Sequence, residues 1–229
     1  MKNRILIAIV IIASISWNIS NAQVQGGFKM GVDFSNQVWT LDGDKLNDTL
    51  NTKRLISPRI GFIIEVPIND YLFVQSGLFG CFKGFRFDGE RLVSGKMAES
   101  KEYELLLLVD LPINFGYKYD LGDAKLFAMA GPVISYATYA TLLYKVDNEW
   151  DNEKQTIGTS DTDTFKPWSL GVNIEGGVEV NRFQFSIFYT QGLSNLTAAD
   201  DMKIKTNVFG LTAAIKFGSV NGGGYRYGR

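Results

Sequence analysis

The chain has 229 residues, a formal net charge of −1, 45% hydrophobic residues, one cysteine and no histidine. A near-neutral chain offers no electrostatic footprint for nucleic acid. The missing histidine removes the commonest general base, every Ser-His-Asp arrangement and the commonest zinc ligand. The lone Cys81 cannot close an internal disulfide and reads as a small packing residue.

The N-terminus reads as a secretory signal: Lys2 and Arg4 precede an apolar core over Ile5–Ile15, and Ser20-Asn21-Ala22 places small residues before a cleavage site after Ala22. Residues 1–22 are therefore a signal peptide, 23–218 the folded domain and 219–229 a glycine-rich, flexible tail. No later stretch is a continuous apolar run of helix-spanning length, so any membrane crossing is made by strands.

Beyond the signal, alternation with period two predicts eight strands. The first, over 26–35, sets Phe28, Met30, Val32 and Phe34 against Lys29, Gly31, Asp33 and Ser35; a polar loop covers 36–56. The second, over 57–68, sets Ile60, Phe62, Ile64 and Val66 against Arg59, Gly61 and Glu65, and Asn69-Asp70 turns the chain. The third runs over 71–87 with Gln75, Gly77, Cys81 and Lys83 on its polar side, before a second loop over 88–101. The fourth, over 103–118, has an unbroken apolar face from Tyr103 to Tyr117, opposite Glu104, Leu106, Leu108, Asp110, Asn114 and Lys118. Asp120 to Asp123 form a turn in which Gly122 can take positive φ.

The fifth strand, over 124–144, contains Pro132, which removes a ladder donor and predicts a bulge or local distortion. A loop over 147–164 carries Asp147, Glu149, Asp151, Glu153, Asp161 and Asp163, an acidic stretch that can take Ca²⁺ or bridge to lipopolysaccharide, or simply be solvated. The sixth strand, over 166–180, opposes an apolar face to Asn173, Glu175 and Glu179; Asn181-Arg182 turn into the seventh, over 183–196, where Phe188 interrupts the polar side. A short loop over 197–204 leads to the eighth, over 205–218, with Thr212 and Lys216 opposite Phe209, Leu211 and Phe217.

The connections alternate long and short, the strands are long enough for a tilted crossing, and Tyr103, Tyr117, Tyr136, Trp168, Tyr189 and Phe217 sit near strand ends on the apolar face. This pattern predicts an all-β, closed antiparallel eight-stranded up-and-down transmembrane β-barrel in a bacterial outer membrane. Closure follows because an open strand edge in lipid leaves backbone groups unpaired. At this size side chains fill the interior.

The inward face collects a charge network: Lys29, Arg59, Lys83, Lys118 and Lys216 against Asp33, Glu65, Glu104, Asp110, Glu175 and Glu179. Strand adjacency pairs Asp33 with Arg59 and Lys83 with Glu104 in the outer half, and crowds Glu65, Glu179, Lys29, Lys118 and Lys216 in the periplasmic half. The network reads as a polar plug; a proton or small-ion path past Asp110 and Glu175 is the alternative. A carboxylate acid/base pair in a lipid-modifying enzyme is a third reading, with little specificity because every small polar core offers carboxylates. No catalytic, cofactor or metal residues are assigned.

Laid out in this order, the chain resembles the PorT-like outer-membrane β-barrel family. The resemblance rests on Gly27-Phe28-Lys29-Met30-Gly31-Val32-Asp33-Phe34-Ser35, Gly61-Phe62 with Glu65-Val66-Pro67, Leu108-Val109-Asp110-Leu111-Pro112-Ile113, Ala130-Gly131-Pro132 and Tyr189-Thr190-Gln191-Gly192-Leu193. It implies an eight-stranded monomeric barrel and carries no catalytic residues. By fold-level analogy it points to an accessory of an outer-membrane complex, secretion included. Phe188 departs from the family pattern, which often has an inward basic residue there. The expected partners are outer-membrane lipid and lipopolysaccharide, with envelope proteins reached through the outside loops.

Overall fold

A computed structural model describes residues 24–41, 44–45, 52–93, 96–146, 149–160, 162–198 and 202–218. The expected signal peptide and C-terminal tail lie outside the described residues. Ten strands form: β1 (Gln25–Leu41), β2 (Asp44–Lys45), β3 (Thr52–Pro67), β4 (Leu72–Val93), β5 (Lys96–Asp120), β6 (Lys125–Val146), β7 (Glu149–Lys154), β8 (Trp168–Val180), β9 (Phe183–Gly192) and β10 (Met202–Phe217). Eight of them pair antiparallel in the order β1-β3-β4-β5-β6-β8-β9-β10, and β10 returns to β1 through a ladder from Gly26–Phe217 to Leu41–Met202. The ring is closed, as the alternation predicts. β2 adds to β1, and β7 to β6. No helix among the described residues is long and apolar enough to cross a membrane; the strands do so.

Burial alternates with sequence parity. Phe62 (68% exposed), Phe115 (62%) and Ile174 (60%) face out, while Asp33 and Gln184 are fully buried inside. An apolar exterior of this extent is stable only in lipid, because water-soluble monomers rarely expose large contiguous apolar patches. The tight turns lie at one end together with both ends of the ring. Gly122 there has φ 94° and Asn181 φ 54°, values suited to glycine and asparagine. Aromatic side chains sit near both ends of the apolar wall, with Tyr71 stacked on Tyr117 at 5.9 Å and Tyr136 against Trp168 at 4.7 Å.

Three expectations need correction. The strands run further outward than alternation indicates: β4 and β5 continue pairing to Val93–Lys96, so residues 88–93 and 96–101 are ladder rather than loop. Residues 149–154 likewise pair with β6. Polar residues alternate poorly, yet a neighbouring edge still satisfies their backbone groups. Conversely, the strand expected over 183–196 ends at Gly192. Finally, of the two outcomes expected at Pro132 the local distortion is present and the bulge is not: Pro132 pairs with Val172 in register, while the β5–β6 ladder is interrupted beside it, between Pro112–Val133 and Phe115–Ala130, and resumes unshifted.

The irregularities lie elsewhere. Leu107 faces Tyr139 while Leu108 faces Ala137, leaving Thr138 as the extra residue; its hydroxyl donates to the Leu107 carbonyl at 3.1 Å. A second register shift falls between Arg54 and Arg59 of β3. There the Ser35 hydroxyl accepts from Gly84 N–H at 3.1 Å and donates to the Gly84 carbonyl at 3.2 Å.

Candidate functional site: the charged interior

The inward positions of eight strands meet across a narrow lumen, so charges far apart in sequence become neighbours. They form three layers. In the periplasmic layer Glu65 of β3 and Glu179 of β8 are bridged by Lys118 of β5 and Lys216 of β10. Lys118 lies 2.9 Å from Glu179, Lys216 lies 3.0 Å from Glu65, and the Lys118–Glu65 and Lys216–Glu179 pairs close the square. Gln75 donates to Glu65 at 3.0 Å, and the Lys118 ammonium sits 4.7 Å from the Phe73 ring centre. This is the predicted crowding, without Lys29.

Lys29 reaches instead to the middle layer, where it pairs with Glu175. Glu175 also accepts from the Ser186 hydroxyl, which is 2.6 Å from the Thr212 hydroxyl. In the outer layer the Arg59 Nε binds both oxygens of Asp33, at 2.9 and 3.0 Å, as strand adjacency predicts. The Arg59 Nη2 is 3.0 Å from Asp110, whose other oxygen takes Lys83 at 2.8 Å and the Ser135 hydroxyl at 2.6 Å. Cys81, buried, has its sulfur 3.4 Å from Asp110.

The expected Lys83–Glu104 pair is not formed. Lys83 lies opposite Leu106, and its flexible stem bends inward to the buried Asp110, where it joins Arg59 and the Ser135 hydroxyl around one carboxylate. Glu104, nearer the mouth, accepts from the Gln37 amide instead.

Phe188 fits this layer for a physical reason. Its ring lies 4.9 Å from the Arg59 guanidinium carbon, and Phe79 lies 5.5 Å from the same carbon. The cation is therefore held by aromatic rings as well as carboxylates. The ring has room because its cross-strand partner is Gly210, where an added Cβ would run into it. Between the outer and middle layers lies a cavity of about 30 Å³, bordered by Arg59, Asp110, Lys29, Glu175, Asn114 and Asn173. That is room for a few waters and no organic ligand.

Alternation did not reveal how the outer mouth closes. Phe165, Leu196 and Ile204 pack with Leu106, Leu108, Ala137, Ala140 and Cys81, flanked by Trp39, Ile157 and Met202. Phe165 is fully buried although its sequence neighbours are polar. Backbone bonds tie the two loops over the opening: Lys166 N–H donates to Leu196 O at 2.7 Å, and Leu196 N–H to Ile204 O at 2.9 Å. The only sequence signal was a large aromatic residue isolated in a polar stretch.

Of the acidic third loop, Asp147 and Asp161 lie outside the described residues. Asp151 and Glu153 are on β7, and Asp163 accepts from Ser160 N–H at 2.9 Å. Among the described residues, no group of three His, Cys, Asp or Glu side chains is arranged to hold a metal ion.

A closed antiparallel ring with a lipid-compatible exterior and a polar, side-chain-filled interior defines a transmembrane β-barrel of the bacterial outer membrane. The chain belongs to the family described as outer membrane protein beta-barrel domain, which matches residues 18–198. Among solved structures it is similar to the outer membrane protein OprG from Pseudomonas aeruginosa, at 14% identity and TM-score 0.42, covering 86% of this chain and 96% of that one. Neisserial surface protein A is also similar, at 14% identity and TM-score 0.37, with 83% and 97% covered. So is Ail, the attachment invasion locus protein of Yersinia pestis, at 14% identity and TM-score 0.35, with 85% and 99% covered. No curated protein matches the chain in sequence.

Proposed function

We propose that this outer-membrane barrel is a non-enzymatic, non-conducting envelope component that works through its outer rim and loops rather than through its lumen. One observation carries the reading: each of the five inward cations, Lys29, Arg59, Lys83, Lys118 and Lys216, is bound to a carboxylate, beneath a mouth filled by Phe165, Leu196 and Ile204. Charges locked in pairs across the lumen leave no mobile group to relay an ion, and the apolar stopper keeps the outer opening dry. Five of the six inward carboxylates act as ion-pair acceptors, and the sixth, Glu104, accepts from the Gln37 amide, which argues against an acid/base role. The resemblance to PorT-like barrels supports an accessory place in an outer-membrane complex, with envelope proteins as partners.

A narrow path for protons or small solutes is the second reading, favoured by the cavity between Asp110 and Glu175. Single-channel recording in planar bilayers separates the two. The wild-type barrel and Asp110→Asn are both expected to be silent. Discrete conductance steps that change in Asp110→Asn refute the plugged barrel.

A further inference from the structure

Of the six carboxylates in the charge network, five are ion-paired and Glu104 is not. Glu104 is only 2% exposed. Among the described residues no cation forms an ion pair with it, and its partner is the Gln37 amide, which donates across the lumen from β1. Glu104 stands five residues outward of Val109, which belongs to the Tyr136–Trp168 row, or about 17 Å along the strand. The carboxyl therefore lies in the part of the barrel that projects beyond the membrane.

Its surroundings supply no counter-charge. Phe85 of β4 and Leu142 of β6 are directly opposite it. On β5 the flanking inward positions are Leu106, part of the stopper, and Glu102, another buried carboxylate. β4 also presents Lys83, which is held 2.8 Å from Asp110 in the layer beneath. From β6 comes Tyr144, which donates to Asp151 of β7 at 3.1 Å, and Glu153 of β7 lies exposed beside Leu142. β1 offers Gln37 and Trp39, β3 Leu55, and β10 Ile204 and Thr206, none of them charged. A carboxyl buried without a cation favours its neutral form. Burial pushes Glu104 from 4.5 up to about 7, against the Gln37 hydrogen bond, which lowers it. The same carboxyl is tied to the stopper: the Phe85 ring meets Trp39 edge to face at 5.8 Å, and Trp39 packs on the cluster that holds Phe165, Leu196 and Ile204.

We propose that Glu104 is a proton-operated latch for the outer mouth: its neutral carboxyl, bonded to Gln37, keeps the stopper of Phe165, Leu196 and Ile204 seated, and its ionisation draws in water and loosens the loops over the opening. The inference rests on the plugged-lumen reading and regulates that same site. The pH at the cell surface then decides whether the apolar stopper lies in the mouth or is offered to a partner. The ion-paired layers beneath take no part, so the lumen stays closed to ions in both states. Opening returns the carboxyl to water and to its ordinary range. The closed mouth is thus fully favoured below about pH 4.5, loses ground as pH rises to about 7, and changes no further above.

Hydrogen exchange of the full barrel in nanodiscs, followed by mass spectrometry over the segments that hold Lys166 and Leu196, reads the opening. Their amides donate to Leu196 O and Ile204 O in the closed mouth. Wild type and Glu104→Gln are compared at the same pH, so intrinsic exchange rates cancel. The two are expected to agree within a few-fold near about pH 5, and wild type to exchange at least roughly tenfold faster near about pH 8. Glu104→Met, suited to the apolar surroundings, should likewise lose the pH dependence. Glu153→Gln removes the exposed carboxylate of the same row and keeps the wild-type profile. Heat-modifiable gel mobility verifies that every variant folds. Wild-type protection that does not change with pH, a constant ratio of wild type to Glu104→Gln, or a profile abolished equally by Glu153→Gln each overturns the proposal. Exchange and conductance are independent: a silent barrel whose mouth ignores pH refutes only the latch, and a conducting barrel whose mouth follows pH refutes only the plugged lumen.

Discussion

Replacing Arg59 with Met keeps volume and apolar contact with Phe79 and Phe188 but removes the cation. Asp110 keeps Lys83 at 2.8 Å. Asp33, fully buried, loses its ion-pair partner and both charged hydrogen bonds. Stripping one partner from a buried ion pair costs about 3–5 kcal/mol, mainly the penalty of the stranded charge. Arg59→Met/Asp33→Asn removes that charge together with its partner, so its cost should fall to about 1–2 kcal/mol, in the range of an ordinary buried hydrogen bond. Lys53→Met breaks an ion pair whose lysine is about half exposed, at 3.5 Å, and should cost less than about 0.5 kcal/mol. Reversible denaturant unfolding of the barrel in lipid vesicles, followed by tryptophan emission and gel mobility, gives all three values. If the single and double variants lose equal stability, the stranded Asp33 is not the cause and the reasoning fails.

Phe165→Ala removes the largest side chain of the outer stopper and should cost about 3–5 kcal/mol if the gap does not collapse. A maleimide should then label Cys81 in the folded barrel, whereas wild-type Cys81, only 1% exposed, stays unlabelled; unchanged protection would show that Phe165 does not seal the mouth. Ile187→Arg puts a charge at the centre of β9 on the lipid face and should cost about 2–4 kcal/mol in a bilayer. A negligible loss in vesicle unfolding would place Ile187 away from the hydrocarbon core.

Strand identity was readable because one face must meet lipid and the other the lumen, which writes period two into the chain. Asp33–Arg59 was readable as well, since β1 and β3 are ring neighbours and both residues face inward. Lys83 and Lys29 were not. A lysine stem can reach along the barrel to a different layer, so strand adjacency does not fix which carboxylate it takes. Bulges are equally silent in sequence: Thr138 becomes the extra residue without proline or glycine to mark it, while Pro132, the conspicuous candidate, stays in register. The stopper was invisible because Phe165, Leu196 and Ile204 meet only after two loops fold over a mouth that the rest of the chain has built.

The seam between β1 and β10 has a consequence for biogenesis. The first strand finds its second neighbour only in the final segment, from Met202 to Phe217, so every earlier strand waits on the last one made. A ribosomal product cut short before Met202 is not a smaller barrel; it carries two raw backbone edges that lipid cannot satisfy. Insertion is therefore an all-or-none event at the level of the whole polypeptide. Until the seam zips shut, the nascent protein must cross the periplasm as a sticky, unfinished ribbon whose survival depends on being escorted and not on its own stability.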